Sequence, residues 1–375
     1  MKKLLIMASL FWPQKNSGGP PISIMNLVKS IKDEFDIYII SKNHELNSAE
    51  PLEGIHEGWN EFDFGHAYYV NKGEHTYKNI YSLIQHVAPD TIYQNSFFSF
   101  DDLLPVLMYK KHNSKTKVIV APRGEFYPER LNKGKVKKVL FSKLIRYSGL
   151  LKGVYFQGTG EDECKQEIEL LRLKKEQTIN IQNLSIVDVK NSQIAKNPGE
   201  LKLCFIARIH STKNLLSAIQ WLEGQSGNIT YDIYGSIEDE DYWKQCQAAI
   251  EQLTSNITVN CKGSISHDMV ADTIAKYHAY YMPTYGENFG HSIVEAMHVG
   301  RPVIISDQTP WTEVNACGGY AFSLAEENKF KNAINELVYM ECDEYEKHCK
   351  SIKAYIKSTM KIDEIIEQYI GAFGG

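Results

Sequence analysis

Two glutamates, Glu287 and Glu295, stand on either side of a short turn segment, with seven residues between them. The segment follows an apolar run, residues 279–282, that is typical of a buried strand and ends at Pro283. After the turn, apolar residues recur at helical spacing, so the pattern predicts a strand, a turn and a helix. A helix N-terminus at the carboxyl end of a strand presents unpaired backbone N–H groups, which suit a phosphate.

An anion site between two acids is unusual for a phosphate alone but suits a nucleotide sugar. One carboxylate can accept hydrogen bonds from the vicinal hydroxyls of a ribose, and the other from hydroxyls of a transferred sugar. The spacing by itself favours a simpler interpretation, in which one glutamate opens the helix and the other is solvated. Other parts of the chain must therefore decide between the two.

Two basic residues, Arg208 and Lys213, flank a second predicted strand-to-helix turn, after the apolar run 201–206. A diphosphate is well bound by one planar, bidentate cation together with one mobile point charge. Each charge-assisted hydrogen bond contributes about 1.5–3 kcal/mol, against about 0.3–1 kcal/mol for a helix terminus. We therefore expect these side chains to dominate phosphate affinity, although singly each is more often an exposed charge.

Glycines stand in two further loops. Gly18 and Gly19 lie in the first loop of the chain, where a missing side chain lets backbone approach a ligand, although a plain turn explains them as well. Gly235 follows the predicted strand 229–234 and is expected to line the nucleotide cleft. Because prolines follow Gly19, the first loop lacks the Gly-x-Gly-x-x-Gly fingerprint, which disfavours a nicotinamide-dependent oxidoreductase.

Arg123 belongs to a Pro-Arg-Gly-Glu segment directly after the predicted strand 117–121. Polar residues at the carboxyl ends of parallel strands are where the sites of α/β proteins gather. Two interpretations stay open for this side chain. It contacts an acceptor or a phosphate, or it forms an ion pair with Glu125 or Glu129.

The segment around the two glutamates resembles the Glu-x7-Glu signature of retaining family 4 glycosyltransferases, which have the GT-B fold. The resemblance covers residues 201–315 well and the first half of the chain more loosely. Gly18 and Gly19 match a Gly-Gly loop near the donor diphosphate, and Arg123 stands where many members carry a histidine. The matching motif residues are Glu287, Phe289, Gly290, Glu295, Ala296, Met297, Gly300, Pro302, Val303 and Ile304.

The resemblance implies an α/β chain of the GT-B type, with two Rossmann-like domains whose parallel sheets face each other across a cleft. It implies transfer of a sugar from a nucleotide diphosphate to a hydroxyl, with retained anomeric configuration and front-face substitution. The residues that it assigns to catalysis are Glu287, Arg208 and Lys213. Those that it assigns to substrate binding are Gly18, Gly19, Arg123, Gly235, Phe289, Gly290, His291 and Glu295.

No metal ion and no cofactor are expected, since cationic side chains and backbone N–H groups would stabilise the leaving diphosphate. The expected partners are a UDP- or GDP-linked sugar and a saccharide or polyprenyl-linked acceptor, with no nucleic acid. The Pro-Arg-Gly variant resembles polysaccharide-assembly relatives, which implies bacterial surface polysaccharide synthesis. Two alternatives remain: a GT-B nucleotide-sugar epimerase, which needs no acceptor, and a nucleotide-sugar-binding protein without catalysis.

The bulk properties indicate a soluble protein of two domains. The 375 residues exceed one ordinary core, and the net charge of −5 argues against a dedicated nucleic-acid binder. The seven cysteines are odd in number and scattered, which predicts reduced thiols in the cytoplasm. No apolar run reaches membrane-spanning length, and the first one is too short for a signal peptide.

The elements that must position these residues follow from the alternation of short apolar runs and helical patterns, which predicts parallel sheets. A polar stretch with proline and glycine predicts a linker at 188–200, between domains 1–187 and 201–356. The last helix, about 357–375, is expected to pack back on the first domain. Residues 42–73 show no clear pattern and are expected to form loops that face the acceptor.

Residues 133–152 carry seven lysines or arginines and no acid, above apolar residues at helical spacing. The simpler interpretation is a solvated helix whose apolar residues, Val136, Leu140, Leu144 and Tyr147 among them, lie beneath the charge. The alternative is a basic surface that rests on an anionic bilayer, where each basic residue contributes about 1 kcal/mol. That alternative predicts a cytoplasmic protein located peripherally on the inner face of the cell membrane.

Overall fold

The computed structural model describes residues 1–14, 19–45, 48, 50–127, 131, 135–187 and 194–375. These residues form two compact units. The first contains Met1–Leu184 together with Ile362–Gly375, and the second contains Ser185–Lys361. No helix in the described ranges has both the length and the apolar character needed to cross a bilayer.

The first unit is built on a sheet of eight strands in the order β3-β4-β2-β1-β5-β6-β7-β8. All neighbouring pairs are parallel except β3 and β4, which form an antiparallel hairpin. The strands are β1 (Lys2–Met7), β2 (Phe35–Lys42), β3 (Trp59–Phe62), β4 (Gly65–Val70), β5 (Thr91–Asn95), β6 (Lys117–Ala121), β7 (Val154–Gly158) and β8 (Thr178–Asn180).

Helices connect these strands, and the last helix of the chain returns to the same unit. Helix α12 packs there through Phe373, whose ring lies 5.1 Å from that of Tyr93 and whose carbonyl accepts the Thr91 hydroxyl at 2.8 Å. The described helices of this unit are α1 (Gly19–Ile31), α2 (Tyr77–Val87), α3 (Phe100–His112), α4 (Lys135–Tyr147), α5 (Glu161–Leu171) and α12 (Ile362–Gly374).

The second unit is built on six parallel strands in the order β11-β10-β9-β12-β13-β14. The chain therefore continues from β9 to one side of the sheet and later returns to the other side, so that β9 and β12 lie at a topological switch point. The strands are β9 (Glu200–Ile206), β10 (Asn228–Tyr234), β11 (Ile257–Gly263), β12 (Ala279–Met282), β13 (Val303–Ser306) and β14 (Tyr320–Phe322).

Strands β12 and β13 are buried along their whole length, as expected for a parallel sheet with helices on both faces. This burial is why the sequence shows continuous apolar runs there. The described α-helices of the second unit are α6 (Leu215–Gln220), α7 (Glu240–Ile250), α8 (Val270–Ile274), α9 (His291–Val299), α10 (Glu327–Tyr339) and α11 (Cys342–Thr359).

Two expectations about the first unit need correction. Gly19 was expected to lie in the first loop, but helix α1 already begins there. Pro20 and Pro21 occupy the first turn of this helix, where a missing N–H is tolerated and a fixed φ is favourable. Within 42–73, which was expected to be loop, residues 59–70 form the β3–β4 hairpin, and β4 joins the sheet beside β2. Short strands rich in polar and aromatic residues gave no periodic signal.

One buried histidine, His278, and one half-buried histidine, His298, should make the stability of the second unit depend on pH. His278 accepts the Lys202 N–H on Nδ1 at 2.9 Å, so its Nε2–H donates to the Ala195 carbonyl at 3.0 Å. Burial lowers the pKa of His278 and of His298 to about 4, from 6.5 in the unfolded chain. Between these values the unfolded state binds more protons, so stability is full above pH 6.5 and falls towards pH 4.

We expect each histidine to cost about 3 kcal/mol of stability across that window. Urea unfolding at pH 7.5, 6 and 5 measures the loss. His298→Leu removes one titrating group, so its stability should fall about half as steeply between pH 6.5 and 5 as that of the wild type. Equal slopes for the two proteins would contradict the assignment.

Candidate functional site

Polar loops gather at the carboxyl ends of β9, β10, β12 and β13, and backbone hydrogen bonds join them in pairs. Ile209 N–H donates to the Ser236 carbonyl at 2.8 Å, which joins the loops after β9 and β10. Tyr285 N–H donates to the Thr212 carbonyl, and Glu287 N–H to the Gln308 carbonyl, both at 3.0 Å. These bonds form one surface at the switch point of the sheet, which is where α/β proteins bind ligands.

Lys213 and Glu287 form an ion pair at the centre of this surface. The Lys213 ammonium donates to Glu287 Oε1, and the two side chains are only 17% and 12% exposed. Asn214, next to Lys213, donates its side-chain amide to the Pro283 carbonyl at 2.9 Å, which holds the two loops together. The sequence assigned the lysine to a diphosphate and the glutamate to a sugar. The structure shows that each neutralises the other.

Arg208 is also paired in the free chain. Its Nη1 donates to both carboxylate oxygens of Glu238, at 2.8 and 2.9 Å. The arginine side chain remains 44% exposed, so one side of the guanidinium faces solvent. Glu238 was not selected from the sequence, because nothing in its spacing distinguishes it from other acids that precede a helix.

Gly235 lets the Arg208 loop and the loop after β10 approach each other. A Cβ placed on Gly235 would lie 1.9 Å from the Ala207 carbonyl oxygen, a backbone atom that cannot rotate away. The Gly235 N–H also donates to the Gly263 carbonyl at 3.0 Å. The visible role of this glycine is therefore to position Arg208, and contact with a nucleotide stays a prediction.

The turn between the two glutamates forms as predicted and opens helix α9. Gly290 has φ 75°, a left-handed conformation that favours glycine, and a Cβ there would lie 2.9 Å from Ile293 Cδ1. Gly290 has no side chain to cap the helix, and the first turn contains no acid. The positive end of the α9 dipole therefore has no protein carboxylate in its own first turn to offset it.

Trp311 holds this turn in place. Its indole N–H donates to the Phe289 carbonyl, and its ring meets the Phe289 ring edge-on at 5.6 Å. His291 also packs against Phe289, with ring centroids 4.7 Å apart. Phe289 is 6% exposed, so its side chain supports the turn from within rather than meeting a ligand.

Glu295 is 4% exposed, and its Oε1 accepts a hydrogen bond from His267 Nε2 at 2.8 Å. His267 opens the short 3-10 helix His267–Met269. Its contact with Glu295 was not predicted. A histidine 28 residues before an acid gives no sequence signal, and only the packing of two loops brings the pair together.

Arg123 lies in the first unit and is 7% exposed. Its guanidinium donates to Asn95 Oδ1 at 2.8 and 3.0 Å, to the Tyr93 hydroxyl at 3.0 Å, and to Asn183 Oδ1. The predicted ion pair with Glu125 is wrong, because that carboxylate accepts the Phe97 and Phe98 N–H groups and the Ser96 hydroxyl instead.

The other Arg123 alternatives are not decided. Glu129 lies outside the described residues, and a contact with an acceptor or a phosphate stays a prediction. Of the predicted glycine pair, Gly18 also lies outside the described residues. Gly19 is the first residue of α1, in the same unit as Arg123.

An open pocket of about 490 Å³ lies beside the Lys213 loop. Asp239 on its wall accepts the Tyr242 N–H at 2.9 Å and so caps helix α7. Among the described residues, no group of three or more His, Cys, Asp or Glu side chains is arranged to hold a metal ion. Besides Leu216, the pocket is lined by polar and aromatic residues, whose two acids and several hydroxyl groups suit a sugar better than a phosphate. These residues are Ser211, Asn214, Ser217, Asp239, Asp241, Tyr242, Gln245 and Tyr285.

A family model described as "Glycosyl transferases group 1" matches residues 187–358. The match spans nearly all of the second unit and slightly under half of the chain. The second unit is therefore similar to the domain that group 1 glycosyltransferases share. No curated protein sequence matches the chain.

Solved structures resemble the whole chain. HepE from Anabaena, in complex with UDP and glucose, has a TM-score of 0.70 and 14% identity over 100% of both chains. Sucrose-phosphate synthase from Thermosynechococcus elongatus has a TM-score of 0.71 and 12% identity, over 98% of this chain and 97% of that one. A TarM variant from S. aureus, in a complex that includes UDP, has a TM-score of 0.69 and 13% identity over 100% of both. At these identities the likeness establishes the fold, and the prediction of two Rossmann-like domains of the GT-B type is confirmed.

Proposed function

We propose that the protein is a retaining glycosyltransferase of family 4 that transfers a sugar from a nucleotide diphosphate to an acceptor hydroxyl. One observation carries the proposal. Lys213 and Glu287, from loops that follow β9 and β12, meet in front of the α9 N-terminus at the switch point of the sheet. The complexes of HepE with UDP and glucose and of TarM with UDP support a UDP-linked donor over a GDP-linked one.

The diphosphate is bound by Lys213, Arg208 and the backbone N–H groups that open α9. Both cations are paired with glutamates, so donor binding would exchange one set of partners for another. Lys213 turns towards the phosphate oxygens, and the Glu287 carboxylate becomes free to accept hydrogen bonds from hydroxyls of the donor sugar.

In the reaction, the bond between the anomeric carbon and the diphosphate oxygen breaks while the acceptor oxygen bonds to the same face of the sugar. The acceptor proton passes to the leaving phosphate oxygen, so no protein base is needed. Negative charge grows on the diphosphate as the bond breaks, and preorganised cations and N–H groups stabilise it most in the transition state. We propose that this stabilisation needs neither a metal ion nor a cofactor.

Glu295 is proposed to bind the ribose, and His267 to orient its carboxylate. The His267→Ala variant should raise the donor KM about tenfold and leave kcat nearly unchanged, because a ribose contact contributes equally to the ground state and the transition state. Steady-state kinetics with varied donor measures both constants. His267→Gln, which keeps a donor group, should recover part of the affinity, and Met269→Ala in the same turn is the matched control. A fall in kcat at unchanged KM would refute this role.

The acceptor is proposed to be a saccharide or a polyprenyl-linked saccharide in bacterial surface polysaccharide synthesis. A lipid-linked acceptor is reached at the inner face of the cell membrane, where the basic residues of 135–152 would meet anionic lipids. This location is consistent with a protein that works in the cytoplasm.

A thermal-shift panel of UDP-, GDP-, ADP- and dTDP-sugars, with and without EDTA, tests the donor. We expect one nucleotide class to raise Tm, and EDTA to leave the shift unchanged. Incubating that donor with and without a saccharide acceptor then separates transfer from epimerisation, and NMR of the product gives the anomeric configuration. Sugar conversion without acceptor would support an epimerase, and binding without any turnover would support a binding protein. An inverted product would contradict the retaining mechanism.

A further inference from the structure

Helix α4 turns a stripe of apolar side chains towards solvent. Val136 is 81% exposed, Leu140 56%, Leu144 62% and Tyr147 73%. The sequence predicted that these residues lie beneath the charged ones, and the structure contradicts that prediction. Ser142 and Ile145 are the residues of this helix that are buried against the unit.

The four exposed residues form one continuous face. At about 100° per residue they fall within an arc of about 80°, roughly opposite the buried side of the helix. Lys137 flanks this arc on one side and Lys143 on the other, and both are exposed. The outward surface of α4 is therefore itself amphipathic, with an apolar centre and basic edges.

All charged residues in the segment that carries this stripe are basic. Residues 135–152 contain six basic residues and no acid, although the whole protein has a net charge of −5. The apolar surface continues onto α3, where Phe100 is 42% exposed and its ring lies 4.2 Å from that of Phe141. A second copy of the chain docked on this face by two-fold symmetry would bring lysines against lysines, which disfavours self-association.

We propose that α4 lies in the plane of an anionic bilayer, with Val136, Leu140, Leu144 and Tyr147 inserted at the boundary between headgroups and acyl chains. The lysines and arginine at its edges then contact lipid phosphates. Apolar insertion and charge attraction together are the requirements of an interfacial helix. The inference deepens the proposed function by assigning the surface that meets a lipid-linked acceptor, and its test uses no donor and no turnover.

Flotation of the full-length protein with vesicles tests this surface. Wild type should float with phosphatidylcholine vesicles that contain about 30–40 mol% phosphatidylglycerol. It should not float with vesicles of phosphatidylcholine alone. Leu140→Gln/Leu144→Gln should bind at least about tenfold more weakly, because the buried apolar area is lost. Lys137→Gln/Lys143→Gln should also weaken binding and reduce its dependence on salt.

Tyr339→Gln is the matched control, because Tyr339 is a large side chain of the second unit that is 49% exposed. This variant should bind vesicles like wild type. All substituted residues are exposed, so circular dichroism and Tm should match wild type. Equal binding by wild type and the leucine variant would overturn the proposal. The proposal would also be overturned if the wild type formed a dimer in sedimentation experiments without lipid and the leucine variant did not. Either result would leave donor binding by the second unit unaffected.

Discussion

Replacing Lys213 with methionine should lower kcat/KM for the nucleotide sugar by at least about 100-fold, because a charge-assisted contact to the leaving diphosphate is lost in a poorly solvated site. Methionine keeps the length and volume of the side chain but not the charge. Lys213→Arg should recover only part of the activity, since its planar fork replaces a compact ammonium between Glu287 and the phosphate. Steady-state kinetics with the donor identified by thermal shift measures the effect.

The same substitution should destabilise the free protein by about 2 kcal/mol, because Glu287 is left as an unpaired carboxylate that is only 12% exposed. Adding Glu287→Gln removes that charge, so the double variant should regain stability while remaining inactive. This difference separates the structural role of the ion pair from its role in transfer. Urea unfolding of the single and double variants measures it.

Lys244→Met is the matched control. Lys244 also forms an ion pair, with Asp241, but its side chain is 71% exposed. Its replacement should leave both stability and kinetics close to wild type, as is usual for surface pairs. If Lys213→Met retained wild-type kcat/KM, the diphosphate would not be bound at this turn and the proposed site would be wrong.

A Gly235→Ala substitution should cost about 3 kcal/mol of stability or more, because the added methyl group overlaps a backbone carbonyl that is held in a strand end. To relieve this overlap, the loop after β10 must move away from Ala207. That movement breaks the hydrogen bond between Ile209 N–H and the Ser236 carbonyl. Arg208 directly follows Ala207, and its partner Glu238 lies in the displaced loop. We therefore expect a fall in Tm of about 6–12 °C and a weaker thermal shift with the donor.

Gly286→Ala provides the control within the same unit. A Cβ at Gly286 would meet no atom within 4 Å, so this variant should unfold close to the wild-type temperature. Differential scanning calorimetry of both variants distinguishes a specific clash from a general effect of losing a glycine. A Gly235→Ala protein as stable as wild type would show that the two loops tolerate separation.

The ion pairs of the free chain have a consequence for donor affinity. Glu287, Glu238 and Glu295 each have a cation or an imidazole as partner before any ligand binds. Donor affinity is therefore the difference between the new contacts and those that are given up, and it is smaller than the sum of the new contacts.

Local patterns in the sequence were sufficient for the elements around the site. The buried strand β12, the glycine turn and helix α9 lie at 279–299, where the apolar spacing and the two glycines of the segment predicted them. Arg208 and Lys213 lie in the loop after β9, as expected from the apolar run before them. These features depend on residues that are near each other in the chain, so composition and periodicity carry the information.

Contacts between distant segments were decided only by the tertiary structure. Lys213 and Glu287 are 74 residues apart and meet because β9 and β12 are neighbours in the sheet, an order that no local pattern specifies. The burial of Arg123 and the contact of His267 with Glu295 have the same origin. Periodicity showed that α4 is amphipathic, but which of its faces is covered depends on the packing of the whole unit. The sequence by itself therefore determined the types of chemistry available, and the strand order decided which side chains act together.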